Sequence, residues 1–134
     1  MSASYFAAEL ALNKHLMEIE GIPEIAWEAV KFTPPNGMWV RPTLLPAEPN
    51  TLTIGTNSVD EFRCVYKISL FGPNGSGAGD VIKLADKIIQ SFRTQKQIKN
   101  SDINITITKA WRTASILDDK HIMIPVNISI AFIG

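Results

Sequence analysis

The sequence predicts an α+β domain: a largely antiparallel sheet of four to five strands, with mixed pairing left open, carrying two helices on one face. Three observations lead there. Two stretches repeat apolar residues at helical spacing, others alternate apolar and polar residues with a period of two, and neither a repeat nor a second-domain linker is visible. At 134 residues the chain suits one domain spanning 1–134. Such a chain can bury roughly two thirds of the surface its unfolded form exposes.

The first helix is expected from Ser4 to about Glu20. Tyr5, Ala8, Leu12, Leu16 and Ile19 share a face, Glu9, Asn13, Lys14 and Glu18 fall elsewhere on the wheel, and Gly21 and Pro23 stop it. A short strand or extended run follows over Ile25–Val30, then a turn at Pro34, Pro35, Asn36 and Gly37. Met38 to Leu45 resumes an extended pattern, and Pro42, which has no N–H for a ladder, favours an edge or bulge there. Pro46 to Glu61 has little apolar periodicity and reads as a long loop or projecting hairpin, a length that compact domains keep mainly for function or disorder.

The next strand, Phe62 to Phe71, points Phe62, Cys64, Tyr66, Ile68 and Leu70 one way and Arg63, Lys67 and Ser69 the other. After a glycine-rich turn, Val81, Leu84, Ala85, Ile88, Ile89 and Phe92 trace a second helical stripe, with Asp80 favourably placed against the helix dipole. Thr94 to Asp102 reads as a polar connection. Ile103, Ile105 and Ile107 then alternate with Asn104, Thr106 and Thr108, and Leu117 to Lys120 looks like the turn into a last strand. In that strand Ile122, Ile124, Val126, Ile128, Ile130 and Phe132 share one face. From Asn127 onward it carries no charge, and Pro125 hints at an edge, so this strand is expected to need covering.

Thirteen basic and thirteen acidic residues cancel, which removes the long-range field of a protein devoted to nucleic acid, though local basic patches remain open. Hydrophobic residues make up 46% of the chain and charged ones 19%, below the usual share of about 25%. The pattern fits a generous core, or apolar surface covered by copies of the chain or by partners. The single cysteine, Cys64, excludes an internal disulfide framework and any multi-cysteine zinc site, and reads as a small buried hydrophobe. The N-terminal stretch has neither a signal-peptide core nor a membrane span, so synthesis and retention in the cytoplasm are expected. The sequons at Asn74, Asn104 and Asn127 then carry no glycosylation meaning.

Candidate chemistry is thin. The turn Gly72 to Gly79 has Gly75, Gly77 and Gly79 at alternate positions between strand and helix, where backbone amides could meet a phosphate. It lacks the lysine followed by Ser/Thr that grips one, so a flexible crossover is the favoured reading and a phosphate- or nucleotide-binding module the alternative. His121 lies beside Asp118 and Asp119 with no third ligand spaced nearby, and His15 sits inside a helix. No catalytic residue, metal site or cofactor is expected. Trp27, Trp39 and Trp111 suit packing or a protein interface better than base stacking. Arg41, Asp60, Glu61 and Arg63 border the long loop with mixed charge and, with Asn57 inside it, are the candidate contacts to another subunit or to a partner.

MWVRPTLLPAEPNTLTIG, from Met38 to Gly55, and YKISLFGPNGSGAGDVIKLADKI, from Tyr66 to Ile88, resemble the phage tail terminator or tail completion family, the group that includes minor tail protein U of lambda-like phages. The order of elements agrees over nearly the whole length. Thr51 to Glu61 departs from many relatives, which are richer in glycine there. The resemblance implies a non-enzymatic virion protein that forms a ring, commonly of six subunits, caps the tail tube, stops its polymerisation and offers a surface for the head. It implies as partners the chain itself, the tail tube protein and a head–tail connector protein, with assembly in the host cytoplasm and a final place at the head–tail junction. Neither a membrane nor a specific nucleic-acid sequence is implied as a partner. Another head–tail joining protein of the same fold is the nearest alternative.

Overall fold

The structure, a computed structural model, describes residues 4–47, 60–75, 78–100 and 103–133, and the backbone of 50–51. Helix α1 covers Tyr5–Glu18. Ser4 caps it, with extended backbone and a side chain that accepts the Ala7 N–H at 3.1 Å. The chain leaves the helix at Ile19 and turns through Gly21, whose φ of +79° lies in the left-handed region. Helix α2 covers Gly79–Gln95 and buries Val81, Leu84, Ala85, Ile88 and Phe92, five of the six residues of the expected stripe; Ile89 is half-buried.

Among the described residues eight strand segments form one sheet: β1 (Glu24–Ile25), β2 (Trp39–Pro46), β3 (Asn50–Thr51), β4 (Asp60–Pro73), β5 (Gln97–Asn100), β6 (Ile103–Arg112), β7 (Ile116–Leu117) and β8 (His121–Ile133). Their order is β1-β2-β4-β8-β6-β5, with β3 added to β4 and β7 to β8. The pairing is mixed: β1 runs parallel to β2 and all the others are antiparallel. The α+β class and the largely antiparallel character therefore agree with expectation, while the strand count exceeds the expected four to five.

The added segments are β3, β5 and β7, and three expectations are corrected. The polar connection Thr94–Asp102 contains β5, an edge strand whose one inward residue, Ile98, is too little for a period to show. The run Ile25–Val30 supplies only the end of a two-residue strand before the chain turns at Ala29, where φ is +58°. The last strand is central rather than an edge, since β8 pairs with β4 from Glu61↔Ile133 to Pro73↔His121 and with β6 on its other side.

Pro125 is tolerated there for a local reason. In an antiparallel ladder a residue's N–H and C=O point to the same side, and the Pro125 carbonyl accepts from Thr113 N–H at 3.0 Å. The missing donor thus faces the break between β6 and β7 rather than β4. Pro42 conforms to its expectation: β1 covers β2 only at Trp39 and Val40, so Pro42 lies on an open edge. The projecting-hairpin reading of Pro46–Glu61 holds at its base, where β3 pairs Asn50↔Glu61 and Thr51↔Asp60. Residues 52–59, and with them Asn57, lie outside the described residues, as does Gly77.

Both helices cover the same sheet face, the one carrying Cys64, Tyr66, Ile68 and Leu70 of β4 and the even-numbered residues Ile122–Phe132 of β8. The sheet curls around them. Helix α2 lies against β4, β8 and β6, while α1 touches β2 on one side and β5 and β6 on the other, bridging the two arms of the curl. Phe92 ties the layers together, with its ring 4.5 Å from His15 of α1 and 6.1 Å from Tyr66 of β4. At one end of the curl Tyr5 meets Phe62 and Phe132 edge-on, and those two rings stack across the β4–β8 ladder at 5.1 Å.

Candidate functional site

The groups that could do chemistry are occupied locally. Asp118 folds back on its own turn: its Oδ1 accepts the His121 and Lys120 N–H groups at 2.6 and 2.8 Å, and these hydrogen bonds hold its carboxyl below the usual carboxylate range. The His121 Nδ1 stands 4.0 Å from the same oxygen. Cys64 is buried, which pushes its thiol up and away from the reactive thiolate. Among the described residues no three His, Cys, Asp or Glu side chains come together as a metal site, and no helix is long and apolar enough to cross a membrane.

The glycine turn serves as a brace. Gly75 takes a φ of +105°, Asn74 N–H donates to the Lys120 carbonyl at 2.9 Å, and Asn74 Nδ2 donates to the Asp118 carbonyl at 2.6 Å. These bonds fasten the chain just past β4 to the β7–β8 hairpin. A groove of about 820 Å³ between the end of α2 and β6 is lined by Arg93, Gln95, Lys96, Gln97 and residues 106–110, without a carboxylate, thiol or imidazole.

His15 is a pH-sensitive structural contact. It is half-buried between α1 and α2, its Nε2 lies 3.0 Å from Ser91 Oγ, and burial lowers its pKa against the opposing effects of Glu18 and the Ser91 hydrogen bond. The folded state therefore binds this proton less readily than the unfolded state. Its contribution is fully present above the ordinary value of about 6.5 and is lost as pH falls through that value toward the lowered one. Denaturant midpoints should accordingly fall between pH 7.5 and pH 5, and His15→Gln should flatten that slope.

The expected contact residues separate into two places. Arg63 Nε donates to Glu61 Oε1 at 2.7 Å on the side of β4 that no helix covers. Arg41 shares that side, but its register partner is Ser69, six positions along β4 from Arg63, or roughly 20 Å. Arg41 thus does not border the loop. Instead its guanidinium sits 5.3 Å above the Trp39 ring, which stacks on Phe71 at 3.9 Å and is flanked by Phe32 and His121. Asp60, one residue before Glu61, has the alternation of the helix-covered side.

Two surfaces were not anticipated. The first is the open sheet face itself, where Arg41, Arg63, Lys67, Lys99 and Lys109 stand against Glu24 and Glu61, an excess of three positive charges on a chain that is neutral overall. Between them lie small residues such as Ser69, Ser129 and Ala131. The second is the outer side of α1, where Phe6, Leu10 and Met17 are 69%, 49% and 53% exposed. At 100° per residue these three fall within a narrow arc opposite Ala8, Leu12 and Leu16. Placing Phe6, Leu10 and Met17 on the same wheel as the buried residues would have exposed this second stripe in the sequence. The cationic face depends on register and could not have been read that way.

Comparison with known proteins places these surfaces in context. A protein-family model described as phage tail terminator protein matches residues 7–130. One solved protein chain superposes with a TM-score of 0.75 at 19% identity, covering 96% of this chain and 95% of that one, a likeness that speaks to fold alone. No curated protein sequence matches significantly.

Proposed function

Because the chain belongs to the phage tail terminator family and so has a structural role in the phage tail, we propose that it forms a ring on the finished tail tube, stops further polymerisation and offers the head its joining surface. The family match over residues 7–130 carries this reading. In it the chain's partners are other copies, six in a closed ring, together with the tail tube protein and a head–tail connector protein. The place of action is the head–tail junction of the virion, after assembly in the host cytoplasm.

The physical features are those such a role requires. A closed ring needs two different complementary patches on each subunit, and the stripe on α1 and the cationic sheet face differ in both chemistry and position. The residues around the β3–β4 hairpin, Asp60, Glu61 and Arg63 with Asn57, are proposed to meet the tube or a neighbour, as is Arg41 at the other end of the open face. The Glu61–Arg63 pair is solvent-exposed, with Arg63 at 57%, so it would set register more than affinity.

The direct test is tube growth. Purified tail tube protein polymerised with a stoichiometric amount of this chain should give tubes of arrested length with a ring at one end in negative-stain images. Tubes that lengthen as freely as without it, and carry no cap, would refute the reading.

A further inference from the structure

We propose that the outer face of α1 in one copy docks on the open sheet face of the next, so that self-association is head to tail. The inference rests on the ring reading above and names the two faces it would use.

Phe6, Leu10 and Met17 form an apolar stripe that solvent-exposed helices rarely display without a cover. The helix and its exit turn are acidic: between Tyr5 and Gly21 there are Glu9, Glu18 and Glu20 against Lys14 alone, an excess of two negative charges. The open sheet face has the opposite sign through Arg41, Arg63, Lys67 and Lys109, and offers apolar surface at Leu45 and Ile133, 46% and 57% exposed. The two faces therefore match in charge and in apolar character.

They cannot match within one molecule. α1 lies on the covered side of the sheet and the cations lie on the other, so the sheet itself separates them. The complement must come from a second copy. Because the joined patches differ, each added copy leaves one of each free, which is the contact that closes into a ring or continues as a filament. A polyanion such as duplex DNA would suit the sheet face but would leave the α1 stripe bare, so the second copy is the occupant that satisfies both.

The test uses two variants of the full chain, Leu10→Asp on the α1 stripe and Lys67→Glu on the sheet face, with Arg41→Glu as a second probe of the latter. Thermal melts by circular dichroism establish that each is folded. In sedimentation at concentrations where the wild type assembles, each variant alone should remain monomeric. An equimolar mixture of Leu10→Asp and Lys67→Glu should form a one-to-one dimer that grows no further, since one variant keeps an intact sheet face and the other an intact α1.

Either folded variant assembling like the wild type, or a mixture that stays monomeric, overturns the interface. So does a homodimer of Lys67→Glu, which would mean α1 pairing with α1. Labelled duplex DNA that binds the wild type and is lost in Lys67→Glu while assembly persists would assign the sheet face to nucleic acid instead. A wild type that never associates, alone or with tubes, overturns the ring reading as well.

Discussion

Replacing Phe92 by alanine should destabilise the fold by about 3–5 kcal/mol, the largest effect expected of a single truncation in this chain. Phe92 is fully buried and is the one α2 side chain whose ring meets both α1, through His15, and β4, through Tyr66. Truncation would empty the junction at which the curled sheet and its two helices are held together. The neighbours cannot readily collapse into the space. Tyr66 is fixed by donating its hydroxyl to Asn13 Oδ1 at 2.5 Å, and His15 is fixed against Ser91. With total stabilities of roughly 5–15 kcal/mol usual for a domain, the variant would sit near the edge of folding. Urea denaturation should show the midpoint falling sharply with little change in slope. A loss below 1 kcal/mol would mean that α1 and α2 do not rely on this ring.

How much of this was legible beforehand depends on how far each residue's partners lie along the chain. β4, α2 and β8 were readable because Tyr66, Ile68 and Leu70, the stripe from Val81 to Phe92, and Ile122 to Phe132 each declare their buried side by period alone. The position of β8 in the sheet was not. A charge-free strand fits the middle of a sheet as well as a covered edge, and Pro125 suggested the edge because the interruption between Arg112 and Ile116, which lets a proline sit inside, belongs to a different segment. β5 has only Ile98 to bury and so no period to detect. Among the candidate contact residues, Glu61 and Arg63 lie together on β4. Arg41 lies apart from them, because antiparallel register carries it toward Ser69 and the Trp39 ring. Charge clustering on the open face is a property of β1, β2, β4, β5 and β6 together, and no single strand reveals it.

Gly72→Ala should cost about 2–3 kcal/mol, although it adds only one methyl group, the upper part of what overpacking typically costs. The reason is the approach of α2 to the sheet. A Cβ on Gly72 would stand 2.5 Å from Val81 Cγ2, a separation that requires something to move. Neither side moves easily. Gly72 is paired to Ile122 in the centre of the sheet, and Val81 is a stiff β-branched residue buried in the first turn of α2. The glycine is thus required for close packing, whereas Gly75 in the same turn is required for its φ of +105°. The two roles separate experimentally by a double-mutant cycle. Val81→Ala alone should destabilise by leaving a small cavity, but combined with Gly72→Ala the loss should be smaller than the sum by more than 0.5 kcal/mol, about the limit of additivity for independent sites. Additive losses, or a Gly72→Ala variant as stable as the wild type, would show that α2 can shift away from β4 without penalty.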